Sequence, residues 1–161
     1  CHSLGYGSGV FTPGLGFMYN NCMSGFDPRP GRANSIQPGK ARTTAVAQTM
    51  VFDGERPFLL LGSPGGARIT AALTQVIANV CVFDLELQDA VCRPRFDAYL
   101  RTLILDSRMP YTVEQKLADR WEIRRSPVPF GIIGRVYGIA FTKEGLKPGY
   151  DPGEPGSVQE V

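Results

Sequence analysis

The sequence predicts an α+β fold, mostly antiparallel sheet with helices stacked on it. Three observations carry this expectation. A hairpin signal, Asp53-Gly54, lies between two apolar, β-prone runs. After it, Ile69, Ala72, Leu73, Val76, Ile77 and Val80 recur at helical spacing. Residues 1–40 are instead rich in Gly, Pro and Asn, which favours loops and short strands over helices.

Along the chain, Gly5, Gly7, Gly9, Gly14 and Gly16 punctuate short apolar pieces. Asp27-Pro28-Arg29-Pro30-Gly31-Arg32 reads as an exposed loop. The hairpin pairs Val46 to Phe52 with Pro57 to Leu61. Phe58-Leu59-Leu60-Leu61 is continuously apolar, the pattern of a strand covered on both faces. Gly62-Ser63-Pro64-Gly65-Gly66 leads into the long helix. A shorter helix is expected from Leu87 to Cys92, ended by Pro94. Thr112 and Gln115 form a capping box for a helix running to about Trp121, itself read as core. Phe130 to Phe141 reads as one or two strands, and 147–161 as a Pro/Gly-rich tail. No internal repeat is visible.

The 161 residues are enough for a single domain, 1–161, with one core. A net charge of +2, spread without a basic run, argues against nucleic acid as a partner. No stretch approaches ~18 consecutive apolar residues, so no membrane segment is expected. Cys1, Cys22, Cys81 and Cys92 form no CxxC pair, and His2 is the only histidine. Closely spaced zinc ligands are therefore missing, and no metal is expected. The bland reading is four free thiols, with Cys81 on a packed face. Composition leaves the compartment open. The chain begins with Cys1 rather than Met, as a processed product or fragment would.

The segment richest in chemistry is Leu59 to Ile69. There a buried strand ends, a Ser-Pro-Gly-Gly turn follows, and a helix begins. The first N–H groups of a helix lack internal partners and sit at its positive end. Glycine lets a ligand approach them closely. Such a turn suits an anion, including the oxyanion of a tetrahedral intermediate. The plainer alternative is a strand-to-helix turn whose glycines only permit tight packing.

The wider order of motifs resembles the γ-glutamyltransferase family over essentially the whole chain. The resemblance rests on Tyr6-Gly7-Ser8-Gly9-Val10, on Leu15-Gly16-Phe17-Met18-Tyr19-Asn20-Asn21-Cys22-Met23, and on Asn34-Ser35-Ile36-Gln37-Pro38-Gly39-Lys40. It continues through the Asp53-Gly54 hairpin, Gly62-Ser63-Pro64-Gly65-Gly66-Ala67-Arg68-Ile69, Arg93-Pro94-Arg95-Phe96 and Gly149-Tyr150-Asp151-Pro152.

That resemblance implies the C-terminal half of an N-terminal-nucleophile hydrolase, an αββα sandwich cut from a self-processing precursor. The partner would be the large subunit of the same precursor. The substrate would be a γ-glutamyl amide such as glutathione, or another amide. The acyl group would pass through a threonine ester to water or an amine, without cofactor. The family's threonine precedes the segment matched by Cys1 to Val10, so the nucleophile and its leading strand are expected upstream. Gly65 and Gly66 take the oxyanion-hole positions. Among substrate-binding positions, Thr44 and Ala45 match a Ser-Ser pair for the α-carboxylate. Gly25 matches an Asp for the α-ammonium, with Asp27 two residues on as a substitute. Ser3 stands where the family has Asn or Thr, and Asn21 and Ser63 complete the set. These departures bear on γ-glutamyl specificity rather than on amide chemistry.

Remaining candidates read more simply. Cys1, as an N-terminal thiol, is the rival nucleophile. Lys40 and Arg42 either attract a carboxylate or are solvated. Arg93 and Arg95 are expected to fix loops by bonding carbonyls. Three functions stay open: a γ-glutamyl hydrolase or transferase, an acylase of the same fold with another acyl substrate, and a non-catalytic relative or fragment.

Overall fold

In a computed structural model, residues 1–3, 6–131 and 133–153 are described. Gly5 and the 154–161 part of the expected tail lie outside them. The chain divides into two compact units, Cys1–Ala45 and Val46–Val161.

Among its described residues, unit one holds no strand. Its regular structure is a 3-10 turn, Cys22–Gly25, and two isolated bridges, Phe11 with Met18 and Asp27 with Ser35. Loops and tight turns dominate, as composition predicts.

Unit two is mixed α+β. The hairpin forms from β1 (Thr49–Asp53) and β2 (Arg56–Gly62), with Asp53 opposite Arg56 and Gly54 at a positive φ of 59°. α1 spans Ile69–Cys81 and α2 Leu87–Cys92. β3 (Phe96–Tyr99) and β4 (Thr102–Leu105) pair antiparallel. α3 (Tyr111–Leu117) follows, and β5 (Glu122–Arg125) pairs parallel with β4. β6 (Tyr137–Thr142) and β7 (Gly145–Tyr150) complete a four-stranded antiparallel sheet in the order β1-β2-β6-β7.

One sheet face packs on the helices. Leu59, Leu61 and Ala140 lie buried there with Ile69, Ala72, Leu73 and Val76 of α1, and Leu87, Ala90 and Val91 of α2. Gly149 of β7 lets Leu87 approach closely: a methyl group on it would lie 2.6 Å from Leu87 Cγ. Two glutamines finish strand edges by copying backbone pairing. Gln88 of α2 donates to Tyr150 O at 3.1 Å and accepts from Tyr150 N at 3.0 Å. Gln75 of α1 donates to Phe96 O at 2.7 Å and accepts from Phe96 N at 3.0 Å.

Several expectations change. The run Phe58 to Leu61 is not covered on both faces in this chain: Leu59 is 0% exposed, but Leu60 is 38% exposed. Leu60 pairs with Met50 and Ile139, and Ile139 with Pro148, so an apolar row faces outward. Cys81 is exposed rather than packed, because it falls off the buried stripe of α1. No capping box forms: Pro110 is the N-cap of α3, which places Thr112 inside the helix, and the helix stops at Leu117. Trp121 therefore lies beyond the helix and is half-buried. Among the described residues of the 130–141 run, strand begins at Tyr137, because Phe130, Gly131 and Gly134 adopt positive φ. The Pro/Gly-rich segment at 147–150 is strand instead. Pro148 is tolerated because β7 is an edge.

Two charged side chains lie deep in unit two: Arg95, 2% exposed, and Asp151, 0% exposed. The Arg95 guanidinium donates to Val91 O, to Ile133 O at 3.2 Å and to Gly134 O at 2.9 Å, and pairs with buried Asp151. Arg95 thus fixes carbonyls as expected, while Arg93 is exposed. Removing one partner of a buried pair strands the other charge and typically destabilises by about 3–5 kcal/mol. Arg95→Met is expected to lower stability by that order in chemical denaturation of the full-length protein. An unchanged midpoint would show that Asp151 finds another partner.

Candidate active site

β2 ends at Gly62, and the chain turns through Ser63 to Gly65 before helical structure resumes. A 3-10 turn, Gly66–Arg68, comes first and runs directly into α1. Gly65 has φ 145° and ψ 7°, and Gly66 has φ 60°. Both values favour glycine. No side chain caps this start. Among the hydrogen bonds of the described residues, none is donated by the Gly65 or Gly66 N–H. Gly65 is exposed and Gly66 half-buried. Two backbone donors thus stand at the positive end of a helical segment, open to an incoming anion.

The back of this turn is a glycine loop. Arg135 N–H donates to Pro64 O at 3.2 Å. A methyl group on Gly65 would meet Gly134 Cα at 2.9 Å, and one on Gly134 would meet Ser63 Oγ at 2.9 Å. Ser63 spends its hydroxyl on Pro64 O at 2.6 Å. Arg95 holds the carbonyls of Ile133 and Gly134, so it braces the loop against which Gly65 rests. Sequence reasoning missed this backing. The signal was the paired glycines Gly131 and Gly134 inside an apolar run.

Unit one carries the other predicted residues. Ser3 is half-buried at a positive φ of 67°. Asn21 donates its N–H to His2 O at 2.9 Å, and its carbonyl accepts from Ser24 Oγ at 2.6 Å. Thr44 is exposed, as are Cys1 and His2. Asp27 is engaged by Arg29 through three bonds: N at 3.0 Å, Nε at 2.9 Å and Nη2 at 2.8 Å. Those bonds hold the Asp27 carboxyl below the usual carboxylate range. Gly25 O accepts from Asn34 Nδ2 at 2.7 Å and Thr43 Oγ1 at 3.2 Å. Asn34 thus joins the Gly25 neighbourhood, a role it was not assigned from sequence, and Arg42, read from sequence as attracting a carboxylate or solvated, lies with its Cδ 2.9 Å from where a methyl group on Gly25 would stand.

Among the described residues, no three His, Cys, Asp or Glu side chains gather to hold a metal ion. None of their helices is long and apolar enough to cross a membrane.

The family model for gamma-glutamyltranspeptidase matches residues 2–161. The chain belongs to that family. Among curated relatives, it is 39% identical over 145 residues to the acylase ACY 1 proenzyme of Pseudomonas sp. strain V22, covering 89% of this chain and 25% of that one. It is 30% identical over 156 residues to the glutathione hydrolase proenzyme of Bacillus subtilis strain 168, covering 97% of this chain and 23% of that one. The chain therefore spans about a quarter of the length of these relatives. Its fold matches the gamma-glutamyltranspeptidase from Pseudomonas nitroreducens complexed with L-DON. The TM-score is 0.87 at 27% identity, with 100% of this chain and 90% of that one covered. In this gamma-glutamyltranspeptidase-family chain, the Gly65–Gly66 turn and the Gly25 neighbourhood each stand within one unit.

Two outcomes check this geometry. Gly65→Ala meets backbone at Gly134, whereas a methyl group on Gly66 meets nothing within 4 Å. Both substitutions bear the left-handed backbone penalty of about 1–2 kcal/mol. Gly65→Ala is thus expected to lower the thermal midpoint more than Gly66→Ala; equal losses would contradict the packing described. Secondly, Asp27 is depressed, so its pair with Arg29 persists from neutral pH down through the usual carboxylate range and is lost only below it. An NMR titration should place its midpoint below 3.8.

Proposed function

We propose that this chain is the C-terminal, catalytic-subunit part of a self-processed amidohydrolase or acyltransferase. The observation that carries the reading is the uncapped Gly65–Gly66 turn. Its N–H groups take the developing negative charge on the substrate's carbonyl oxygen. Each such donor is typically worth about 10²–10³ in rate. A threonine supplied by the precursor upstream of Cys1 attacks the amide carbonyl, the amine departs, and water or an acceptor amine releases the acyl group. The relatives named proenzymes support a precursor with a second subunit. The outward apolar row Met50, Leu60 and Ile139 supports an αββα sandwich, because such a face needs a covering layer.

Two acyl groups compete. The glutathione hydrolase relative favours γ-glutamyl amides such as glutathione. The residues of unit one favour the acylase reading. Gly25 has no carboxylate, Asp27 is already held by Arg29, and Ala45 has no hydroxyl. An α-ammonium would therefore lack its counter-charge here, and an unpaired charge in a partly desolvated site is costly.

The test uses the full-length protein with a panel of acyl anilides. Chromophore release from at least one acidic acyl anilide is expected. In that protein, Gly65→Ala should lower kcat by about 10²–10³ with KM changed only a few fold. An unchanged kcat would sink the oxyanion assignment.

A further inference from the structure

β3 is an outer strand of the three-stranded sheet, and its open edge runs beside α1. Asp106 N donates to Arg95 O at 2.9 Å, one step beyond the paired Phe96 and Leu105. In an antiparallel pair, residues that exchange ladder bonds alternate with residues that do not. Asp97 and Tyr99 therefore bond β4, and Phe96 and Ala98 aim their N–H and C=O groups outward. Phe96 agrees with this: Gln75 of α1 takes its N–H at 3.0 Å and its C=O at 2.7 Å. Ala98 is exposed, and among the described residues no hydrogen bond outside the ladder reaches its backbone.

That edge opens into a groove of about 700 Å³ inside unit two. Its helical wall carries the short side chains of Ala67, Thr70, Ala71 and Thr74. Its strand wall carries Ala98 and Ile104. Arg68 ties one wall to the other, with Nε 3.3 Å from Asp97 Oδ2. Short side chains opposite a bare strand edge leave room for one more backbone, which would lie about 4.8 Å from β3. Gln75 shows the chemistry that the edge accepts, an amide that both donates and accepts.

We infer that this groove takes one extended segment of the precursor upstream of Cys1, added to β3 as a further strand. Ala98 N–H donates to the segment, and Ala98 C=O accepts from it. Alternate apolar side chains of the segment face Ala71 and Ile104. Two observations choose this occupant. First, α1 already flanks the edge, so a single segment fits where the sheet of a second copy would meet the helix. Second, the curated relatives are named proenzymes, and this chain spans about a quarter of their length. A segment tethered in the same precursor reaches an effective concentration on the order of millimolar, above that of a separate molecule. The inference rests on the precursor proposed above, and not on its catalysis.

The experiment uses the full-length protein. Hydrogen exchange is read by mass spectrometry on the unaltered protein, and a benzophenone photocrosslinker is placed at Thr70 or at Thr74, on the groove's exposed wall. A gel reports separately whether the precursor is cleaved. Exchange at Ala98 is expected to be at least about 100-fold slower than at an open amide, with Phe96 as the internal standard. The crosslink is expected on sequence upstream of Cys1, in the cleaved or the uncleaved protein. Exchange at Ala98 as fast as an open amide overturns the inference. A crosslink confined to residues 1–161 does so too, as does one to a second copy in a mixture of isotope-labelled and unlabelled protein. Protection at Ala98 without an upstream crosslink from either position also overturns it. An uncleaved precursor that gives the upstream crosslink contradicts the self-processing reading and upholds the groove.

Discussion

Arg95 joins parts of unit two that are far apart in sequence. Its guanidinium reaches the last turn of α2 at Val91, the glycine loop at Ile133 and Gly134, and the carboxylate of Asp151 beyond β7. A buried charge is tolerated only when paired and hydrogen-bonded, and here every contact meets that condition. The glycine loop in turn backs Gly65, whose φ of 145° leaves no room for a side chain. The open N–H groups of the Gly65–Gly66 turn are thus set by an ion pair some distance along the chain. In the proposed oxyanion role, such donors act by being held in place before charge develops.

The two proposed roles follow different rules. The Gly65–Gly66 turn uses only backbone, and backbone donors depend on conformation rather than on residue type. The Gly25 neighbourhood of unit one presents side chains, so any role proposed for it depends on residue type. This separation explains how relatives named for an acylase and for a glutathione hydrolase can both resemble the chain. A shared oxyanion turn is compatible with different acyl groups.

Much of unit two was legible because its signals are local. The Asp53-Gly54 turn, the stripe from Ile69 to Val76 and the stop at Pro94 each act within a few residues. The three-stranded sheet was not legible. β3, β4 and β5 are four residues each, and Glu122-Ile123-Arg124-Arg125 reads as a charged surface segment. β7 was hidden by Pro148 and Gly149. Its edge position tolerates the proline, and Leu87 needs the glycine. The apolar run after Phe130 looked like strand, but its positive φ values break the pleat. In the candidate site, the Ser-Pro-Gly-Gly turn was visible at once. Arg42 lying over Gly25 was not, because no local pattern relates residues so far apart along the chain.

The most direct measurement is a crystal structure of the full-length protein trapped as an acyl-enzyme with a slowly turned-over amide. The account predicts the acyl oxygen at about 2.7–3.1 Å from the N–H nitrogens of Gly65 and Gly66. An acyl oxygen held instead by side chains or water, with that turn empty, would contradict it.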